Sequence, residues 1–250
     1  MTAPAYAIIG ATGGIGSSLC RMLTASGARL FLGARNVHNL TTLVNELDHV
    51  QPGQIHGFPL DATISTEVDL FFEKAVERLG TVSGVTCLTG SILLKPAHLT
   101  NDYELAETLA VNLNAAFYTV RAAAKAMMAS GGSIVLASTV ATQIGLPNHE
   151  AIAAAKGAIN GLVISAAATY APKNIRVNAV APGLVRTPLS AKITASELAL
   201  KASTAMHPLG RIGEPADVAS MIAFLLDPAH SWITGQILSI DGGLGTVRAK

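Results

Sequence analysis

A glycine-rich turn near the start of the chain has the residue types that bind phosphate groups. It reads Gly10-Ala11-Thr12-Gly13-Gly14-Ile15-Gly16 and lies between a short apolar run and a helical pattern. Glycine permits positive φ angles and a close approach of the backbone to a ligand. The free N–H groups and the dipole at a helix N-terminus favour an anion such as a pyrophosphate. Between a strand and a helix this turn predicts a dinucleotide-binding site, and a structural tight turn is the alternative.

Arg35, at the end of the next apolar run, indicates which dinucleotide binds. An acidic residue near this strand end usually holds the ribose of a cofactor that lacks the 2′-phosphate. The sequence reads Ala34-Arg35-Asn36 there and has no carboxylate. Because a guanidinium suits a phosphate monoester, the residues favour NADP(H) over NAD(H). The alternative is that Arg35 is a solvated surface arginine.

These residues need a scaffold that brings strand ends together at one edge. Short apolar runs are typical of strands buried on both faces of a parallel sheet, and they occupy residues 5–9, 29–34, 54–59, 84–89, 132–138, 175–180 and 236–240. Helical patterns lie between them at residues 14–26, 37–47, 65–79, 102–129, 149–171 and 215–226. The alternation of strands and helices over residues 1–250 predicts one α/β domain with a doubly wound parallel sheet and right-handed crossovers.

The segment 188–207 interrupts this alternation. It follows a strand, carries a helical pattern at residues 195–205, and is not followed directly by another strand. Open α/β sheets bind ligands at the carboxyl ends of their strands. We therefore predict that residues 188–207 form a substrate lid, with an ordinary surface helix as the alternative.

The composition excludes several other classes of function. Half of the residues are apolar, only 13% are charged, and the net charge of +1 gives no support for nucleic-acid binding. We find no uninterrupted apolar run of about 18 residues and expect no membrane-spanning helix. Cys20 and Cys87 are isolated from each other and from histidine pairs. We therefore expect no metal site or disulfide framework, and a cytoplasmic location.

Several motifs, taken in order, resemble those of the short-chain dehydrogenase/reductase family. The turn Gly10-x-x-x-Gly14-x-Gly16 is similar to the family's cofactor turn, and Asp61 is similar to its adenine-contacting aspartate. Asn112 and Lys156 resemble its active-site asparagine and lysine. The segment that holds the nicotinamide carboxamide is matched by Asn178-Ala-Val-Ala-Pro182-Gly183 with Thr187-Pro188, and the family's closing motifs are matched by residues 210–217 and 234–243.

The resemblance covers nearly all of the chain and implies a seven-stranded Rossmann-type sheet. It implies oxidoreductase activity on a small-molecule substrate and, in many members, a homotetramer. The small-residue helix at 151–171 also suits close packing in a dimer or tetramer, and packing within the monomer alone is the alternative. Further cofactor contacts implied by the resemblance are Ala62, Gly90, Lys156, Pro182, Gly183, Val185 and Thr187.

The chain departs from the family at the position of its catalytic tyrosine. Four residues before Lys156, where the family places a tyrosine that exchanges the proton, this sequence has Ile152. An isoleucine has no exchangeable proton and cannot take that role. The family's substrate-orienting serine falls at Thr139, beside Ser138, and its Asn-Asn-Ala-Gly segment reads Cys87-Leu88-Thr89-Gly90.

Three hypotheses accommodate Ile152. In the first, His149 or a water exchanges the proton while Thr139, Lys156 and Asn112 keep their family roles, in an NADP(H)-dependent oxidoreductase of apolar carbonyls, alcohols or activated alkenes. His149 precedes Lys156 by seven residues, the spacing of the tyrosine in the family's enoyl-reductase branch. In the second, the chain binds the cofactor with little turnover, as a regulator or inactive subunit. In the third, the same fold runs a non-redox elimination, isomerisation or hydration.

Overall fold

Seven parallel strands form one sheet in the computed structural model, which describes residues 3–247. In chain order they are β1 (Ala5–Ile9), β2 (Arg29–Ala34), β3 (Ile55–Pro59), β4 (Gly84–Cys87), β5 (Gly132–Ala137), β6 (Ile175–Pro182) and β7 (Ile237–Ile240). Across the sheet the order is β3-β2-β1-β4-β5-β6-β7. The order in which strands are added to the sheet therefore reverses between β1 and β4. Open α/β sheets bind their ligands at such a switch point.

Helices cover both faces of this sheet. They are α1 (Gly14–Ala25), α2 (Val37–Asp48), α3 (Ser65–Leu79), α4 (Asp102–Leu109), α5 (Ala115–Met127), α6 (Glu150–Tyr170), α7 (Ala191–Thr194), α8 (Glu197–Met206) and α9 (Pro215–Leu226). One apolar core joins the sheet to α3, α5 and α6, and a second joins it to α1, α2 and α9. The predicted fold class is confirmed.

The strand bounds differ from the predicted ones at several ends. β4 and β5 stop at Cys87 and Ala137, earlier than predicted, and β6 continues to Pro182. The prediction that all strands are buried on both faces is wrong for β3 and β7, whose residues are partly exposed. These two strands form the edges of the sheet, where one side has no neighbouring strand to cover it.

The long helix predicted at residues 102–129 is interrupted in the structure. A π-helical turn, Ala110–Asn114, separates α4 from α5. Within it, the side-chain amide of Asn112 donates to the Thr108 carbonyl at 2.9 Å and so competes for a helical acceptor. Such turns are frequent at functional sites. Apolar periodicity continues through the turn, which explains why the sequence pattern predicted one unbroken helix.

Helix α6 is a core helix despite its composition. The stretch Glu150–Lys173 is long and apolar enough to cross a membrane by length and mean hydropathy alone. In the fold, Ile159 and Val163 of this helix are fully buried in the core beneath the sheet. Core helices meet the same criterion, so its composition assigns no membrane location.

Candidate active site

A groove of about 260 Å³ crosses the carboxyl ends of β1, β2 and β4. The backbone at its centre is tightly folded, with Gly10 at a φ of +83° and its carbonyl accepting the Gly13 N–H at 3.1 Å. A Cβ on Gly10 would lie 2.9 Å from the carbonyl carbon of Leu88, so only glycine fits there. Seven of the predicted cofactor-binding residues line this groove: Gly10, Thr12, Gly13, Arg35, Asp61, Ala62 and Gly90.

The N-terminus of α1 faces this groove without a capping side chain. Gly13 occupies the N-cap position and makes no side-chain cap, and the first turn of α1 has no acidic residue. The first N–H groups of the helix therefore remain available to an anion. This arrangement fits the pyrophosphate of a dinucleotide. Ile15 and Gly16 belong to the same turn, but Ile15 packs its side chain against the core and can offer only its backbone.

Arg35 and Asp61 stand at the nucleoside end of the groove. Arg35 is exposed, whereas Asp61 is half-buried and accepts the Thr63 N–H at 2.9 Å and the Thr63 hydroxyl at 2.7 Å. Burial raises the pKa of Asp61, but these hydrogen bonds and the positive charge of Arg35 outweigh it and hold the pKa below its usual value. Asp61 is therefore an ionised acceptor at neutral pH, beside an arginine free to meet a phosphate.

Three predicted residues meet at the inner end of the groove. A Cβ on Gly90 would lie 3.2 Å from Asn112 Oδ1 and 3.7 Å from Lys156 Nζ. Asn112 also accepts the Ser91 N–H at 3.2 Å and donates to the Ser91 hydroxyl at 2.9 Å. Asn112 thus ties the loop after β4 to the π-helical turn, beside the amine of Lys156.

Lys156 is an almost completely buried amine. It is 7% exposed, and its Nζ donates to the Ala137 carbonyl at 2.9 Å. Burial is the main influence and lowers the pKa of Lys156 to about 8, while Cys87 acts in the opposite direction. An amine with this pKa changes its charge near neutral pH and responds to any ligand bound beside it.

This burial predicts a measurable pH dependence of stability. Below about pH 8 the amine is charged in both the folded and the unfolded chain, and folding bears the full cost of burying it. Between about pH 8 and 10.5 the folded chain has released this proton while the unfolded chain still holds it. Stability relative to Lys156→Met should therefore rise with pH by about 3 kcal/mol across this interval. Urea unfolding of both proteins across the interval measures it, and a constant difference would show that the amine is hydrated.

A second cavity of about 260 Å³ lies next to the groove and beneath residues 188–207. The loop that follows Gly90 connects the two, since Gly90 lines the groove and Ile92 lines the cavity. Most of the wall is apolar, with Leu94, Val140 and Leu146 among its residues. Polar groups reach this wall from Thr139, His149, Ser203 and His207.

Thr139 presents a hydroxyl to this cavity, and its neighbour Ser138 does not. Thr139 Oγ1 accepts the Ala141 N–H at 3.3 Å, which leaves its own proton free to be donated to a ligand. Ser138 is buried and donates to Asn160 Oδ1 at 2.7 Å. Of the two adjacent hydroxyls, Thr139 is the one that can reach a ligand.

His149 and Ile152 occupy the same wall of the cavity. His149 Nδ1 lies 2.8 Å from the Pro147 carbonyl, which can only accept, so Nδ1 carries a proton and Nε2 is left to exchange another. Ile152 is 6% exposed and adds an apolar surface. Two tyrosines elsewhere in the chain line neither the groove nor this cavity: Tyr103 is 75% exposed, and Tyr118 packs against the core under Arg121.

The segment after β6 lies between the groove and the cavity. Gly183 lines the cavity, and Thr187 is close enough to α1 that its Cγ2 would be 2.8 Å from a Cβ on Gly14. Val185 is buried and pairs with Gly213, so its side chain faces the core and only its backbone is offered to a ligand. Pro182 ends β6 at the same edge of the sheet.

Sequence reasoning did not single out two residues that the structure places at the site. Leu189 is half-exposed and lines the dinucleotide groove, and His207 is buried and lines the cavity. Both lie in the predicted lid, which the pattern identified only as a segment. The signal for His207 was a lone histidine before Pro208, too common a feature to indicate a role.

Comparison with known proteins identifies relatives along the whole chain. The family model described as enoyl-(acyl carrier protein) reductase matches residues 10–245. The chain is 36% identical over 240 residues to galactitol 2-dehydrogenase (L-tagatose-forming) of Cereibacter sphaeroides, covering 95% of this chain and 93% of that protein. It is 33% identical over 246 residues to the 3-oxoacyl-(acyl-carrier-protein) reductase FabG of Thermotoga maritima, covering 95% and 96%.

Solved structures agree with these relatives. A short-chain type dehydrogenase/reductase from Mycobacterium ulcerans superposes with a TM-score of 0.93 at 32% identity, covering 98% of this chain and 91% of that one. A variant of actinorhodin polyketide ketoreductase with NADPH superposes with a TM-score of 0.92 at 28% identity, covering 98% of each chain. The dinucleotide groove, the Asn112–Lys156 junction and these relatives together show that the chain belongs to the short-chain dehydrogenase/reductase family of oxidoreductases.

Proposed function

We propose that this chain is an NADP(H)-dependent oxidoreductase of small or medium, largely apolar carbonyls, alcohols or activated alkenes. One observation carries the proposal: an apolar cavity with the free Thr139 hydroxyl opens beside a groove shaped for a dinucleotide. None of the described residues that line this cavity is Asp, Glu, Lys or Arg. Such a wall favours a neutral substrate, because a buried charge without a partner is costly.

Arg35 and the relatives support NADP(H) as the cofactor. The guanidinium is exposed beside Asp61, where a 2′-phosphate would meet it. A structural neighbour was solved with NADPH. When bound, the nicotinamide would donate or accept a hydride, and the protein's part is to orient the reactants and stabilise charge.

Each polar group of the site then has a defined task. The Thr139 hydroxyl hydrogen-bonds the reacting oxygen of the substrate and orients it. Lys156 holds the nicotinamide ribose and adds positive charge, and Asn112 anchors a water beside it. His149 Nε2, or a water next to it, exchanges the proton, because Ile152 has no exchangeable proton at the position of the family's tyrosine.

Binding of the cofactor is the first requirement and is directly measurable. NADPH at about 100 times its dissociation constant should stabilise the folded chain by about 2.7 kcal/mol, seen as a rise in melting temperature. The absence of any NADPH-dependent rise would contradict the proposed function. NADH at the same concentration should produce a smaller rise.

Arg35→Glu should reverse the preference between the two cofactors. The change removes the partner of the 2′-phosphate and adds a carboxylate that repels it, so NADPH should bind about 100-fold more weakly. The same carboxylate can accept from a ribose hydroxyl, so NADH should bind more tightly. Fluorescence titration with both cofactors measures the effect. Arg78→Glu, the same substitution at an exposed site on α3, is the control, and equal effects of the two variants would remove Arg35 from the site.

The assembly and location of the chain are also proposals. Phe117 on α5 and Ile164 on α6 are 50% and 58% exposed, and such apolar helix faces support a homodimer or homotetramer. Sedimentation analysis should give a multiple of the 25.6 kDa chain. We propose a cytoplasmic location because Cys20 and Cys87 are both unpaired thiols, and a disulfide-linked form isolated from cells would contradict it.

A further inference from the structure

The lid, residues 188–207, is fastened to the rest of the protein mainly at its two ends. Neither α7 nor α8 has a buried residue. At one end Ser190 is 2% exposed and donates to the Val185 carbonyl at 2.5 Å, and at the other end His207 is 4% exposed. A segment with so little buried surface opens easily. The contacts of Ser190 and His207 at its two ends therefore determine how stable its closed state is.

Both ring nitrogens of His207 are committed to backbone groups. Nδ1 lies 2.7 Å from the Ser203 carbonyl in α8, and Nε2 accepts the Leu184 N–H at 3.3 Å. Because a carbonyl can only accept and an amide N–H can only donate, one neutral tautomer satisfies both bonds. The ring therefore joins the last turn of the lid to the segment that follows β6.

His207 lines both the substrate cavity and a neighbouring cavity of about 300 Å³, and glycine backbone packs against its ring between them. A Cβ on Gly183 would lie 2.6 Å from Nε2, and a Cβ on Gly242 would lie 3.6 Å from the ring carbon Cδ2. The backbone of both glycines thus closes on the ring. Protonation would place a second N–H on Nε2, directed at the Leu184 N–H, and two donors cannot bond to each other.

The charged groups around the ring are bonded to other partners or lie at the surface. Asp241 packs against Gly183 as His207 does, and its two oxygens accept the N–H groups of Gly243 and Gly245. Arg211 and Asp217 line a neighbouring cavity of about 300 Å³ and are paired with each other at 2.6 Å. His149 lines the same cavity as His207. The remaining charged groups on adjoining elements are exposed at the surface: Arg186 with Glu214, Glu197 and Lys201.

We propose that neutral His207 is a positioning residue for substrate binding. Its two hydrogen bonds act as a latch that holds the lid over the apolar cavity, and protonation of the ring releases the lid. The ring itself forms part of the cavity wall, so its place sets the distance between the lid and the segment that includes Gly183. The role of the cavity as the substrate site rests on the proposed function, whereas the latch is a property of the free protein. Protonation of Nε2 removes the acceptor of the Leu184 N–H, so an acid pH that protonates the ring opens the latch.

Hydrogen exchange of the free protein tests the latch without any turnover. After correction for the intrinsic pH dependence of exchange, protection of the α8 amides and of the Leu184 amide should be about tenfold lower at about pH 5.5 than at about pH 8. His207→Gln keeps an oxygen that accepts the Leu184 N–H and cannot be protonated there. This variant should keep the same protection at both pH values. His98→Gln, at an exposed site, should respond like the wild type.

The ring can also be observed directly. Nitrogen-15 NMR of the wild type at about pH 8 should show the His207 proton on Nδ1. A proton on Nε2, equal lid protection at both pH values, or a pH response of His207→Gln as large as that of the wild type would each overturn the proposal. If the protein turns over a neutral ketone, His207→Phe should raise KM about tenfold with a smaller change in kcat. Failure to bind NADPH would reject the proposed function while leaving the latch result intact.

Discussion

Replacement of Ile152 by tyrosine is expected to raise the rate of NADPH-dependent reduction of a neutral apolar ketone by about 10²- to 10³-fold. Residue 152 lines the cavity together with Thr139, and it precedes Lys156 by one helical turn on α6. A phenol there would lie in the cavity wall that includes Thr139, one helical turn from the buried amine. The positive charge of that amine lowers the pKa of a neighbouring phenol and makes it a better proton donor.

The matched control for this gain is Ile152→Phe, which adds the same ring without its hydroxyl. Steady-state rates of both variants are compared with the wild type, using cyclohexanone as a neutral ketone. The phenylalanine variant should show no gain. A tyrosine variant that folds and binds NADPH but reduces the ketone no faster than the phenylalanine variant would show that the remaining groups are not arranged for carbonyl reduction.

Loss of His149 has the second large expected effect. His149→Gln should lower kcat about 100-fold or more while NADPH binding stays unchanged, because general acid–base groups contribute rate and not cofactor affinity. The ring is held by the Pro147 carbonyl through Nδ1, so its Nε2 is the exchanging atom. Glutamine retains the polarity of the side chain but does not titrate near neutral pH. Stopped-flow measurement of NADPH oxidation gives the rate directly.

The control for this loss is His98→Gln, which removes an exposed histidine on the surface. It should leave the rate unchanged. If His149→Gln keeps the wild-type rate, then the proton reaches the substrate through water alone, and His149 is only part of the cavity wall.

The scaffold of the site could be predicted from the sequence because its signals are local. The glycine-rich turn, the helix after it and the short apolar runs each arise from neighbouring residues, and parallel strands bring their carboxyl ends to one edge. The positions of Gly10, Arg35 and Asp61 in one groove follow from that rule. Thr139 lines the second cavity for the same reason, since it follows the end of β5, and His149 lines that cavity from the start of α6.

Other features depend on contacts between distant segments, and no local pattern reports them. The π-helical turn at Asn112 arises where its amide bonds to both Thr108 and Ser91, and the apolar periodicity is the same with or without it. His207 gains its place from backbone groups at Ser203 and Leu184. Sequence analysis could single out the segment 188–207 but not His207 within it.

The apolar residue Ile152 also fits the other two hypotheses from the sequence, a cofactor-binding protein with little turnover and a non-redox enzyme. A cofactor-binding protein with little turnover would make use of an apolar wall beside the nicotinamide, and a non-redox enzyme would form product without changing the cofactor. The free hydroxyl of Thr139 and the free nitrogen of His149 at this wall favour the redox enzyme. Neither group would be needed at the surface of a cavity that only excludes water.

The central claim is that a hydride passes between NADPH and a neutral apolar substrate in this cavity. The most direct measurement is mass spectrometry of the products after the protein is incubated with NADPH that carries deuterium in both hydrogen positions at the nicotinamide C4 and a panel of neutral apolar ketones and enones. We expect deuterium to appear on the carbonyl carbon of an alcohol product or on the β-carbon of a saturated product. Tight binding of NADPH without transfer of deuterium to any member of the panel would contradict the claim.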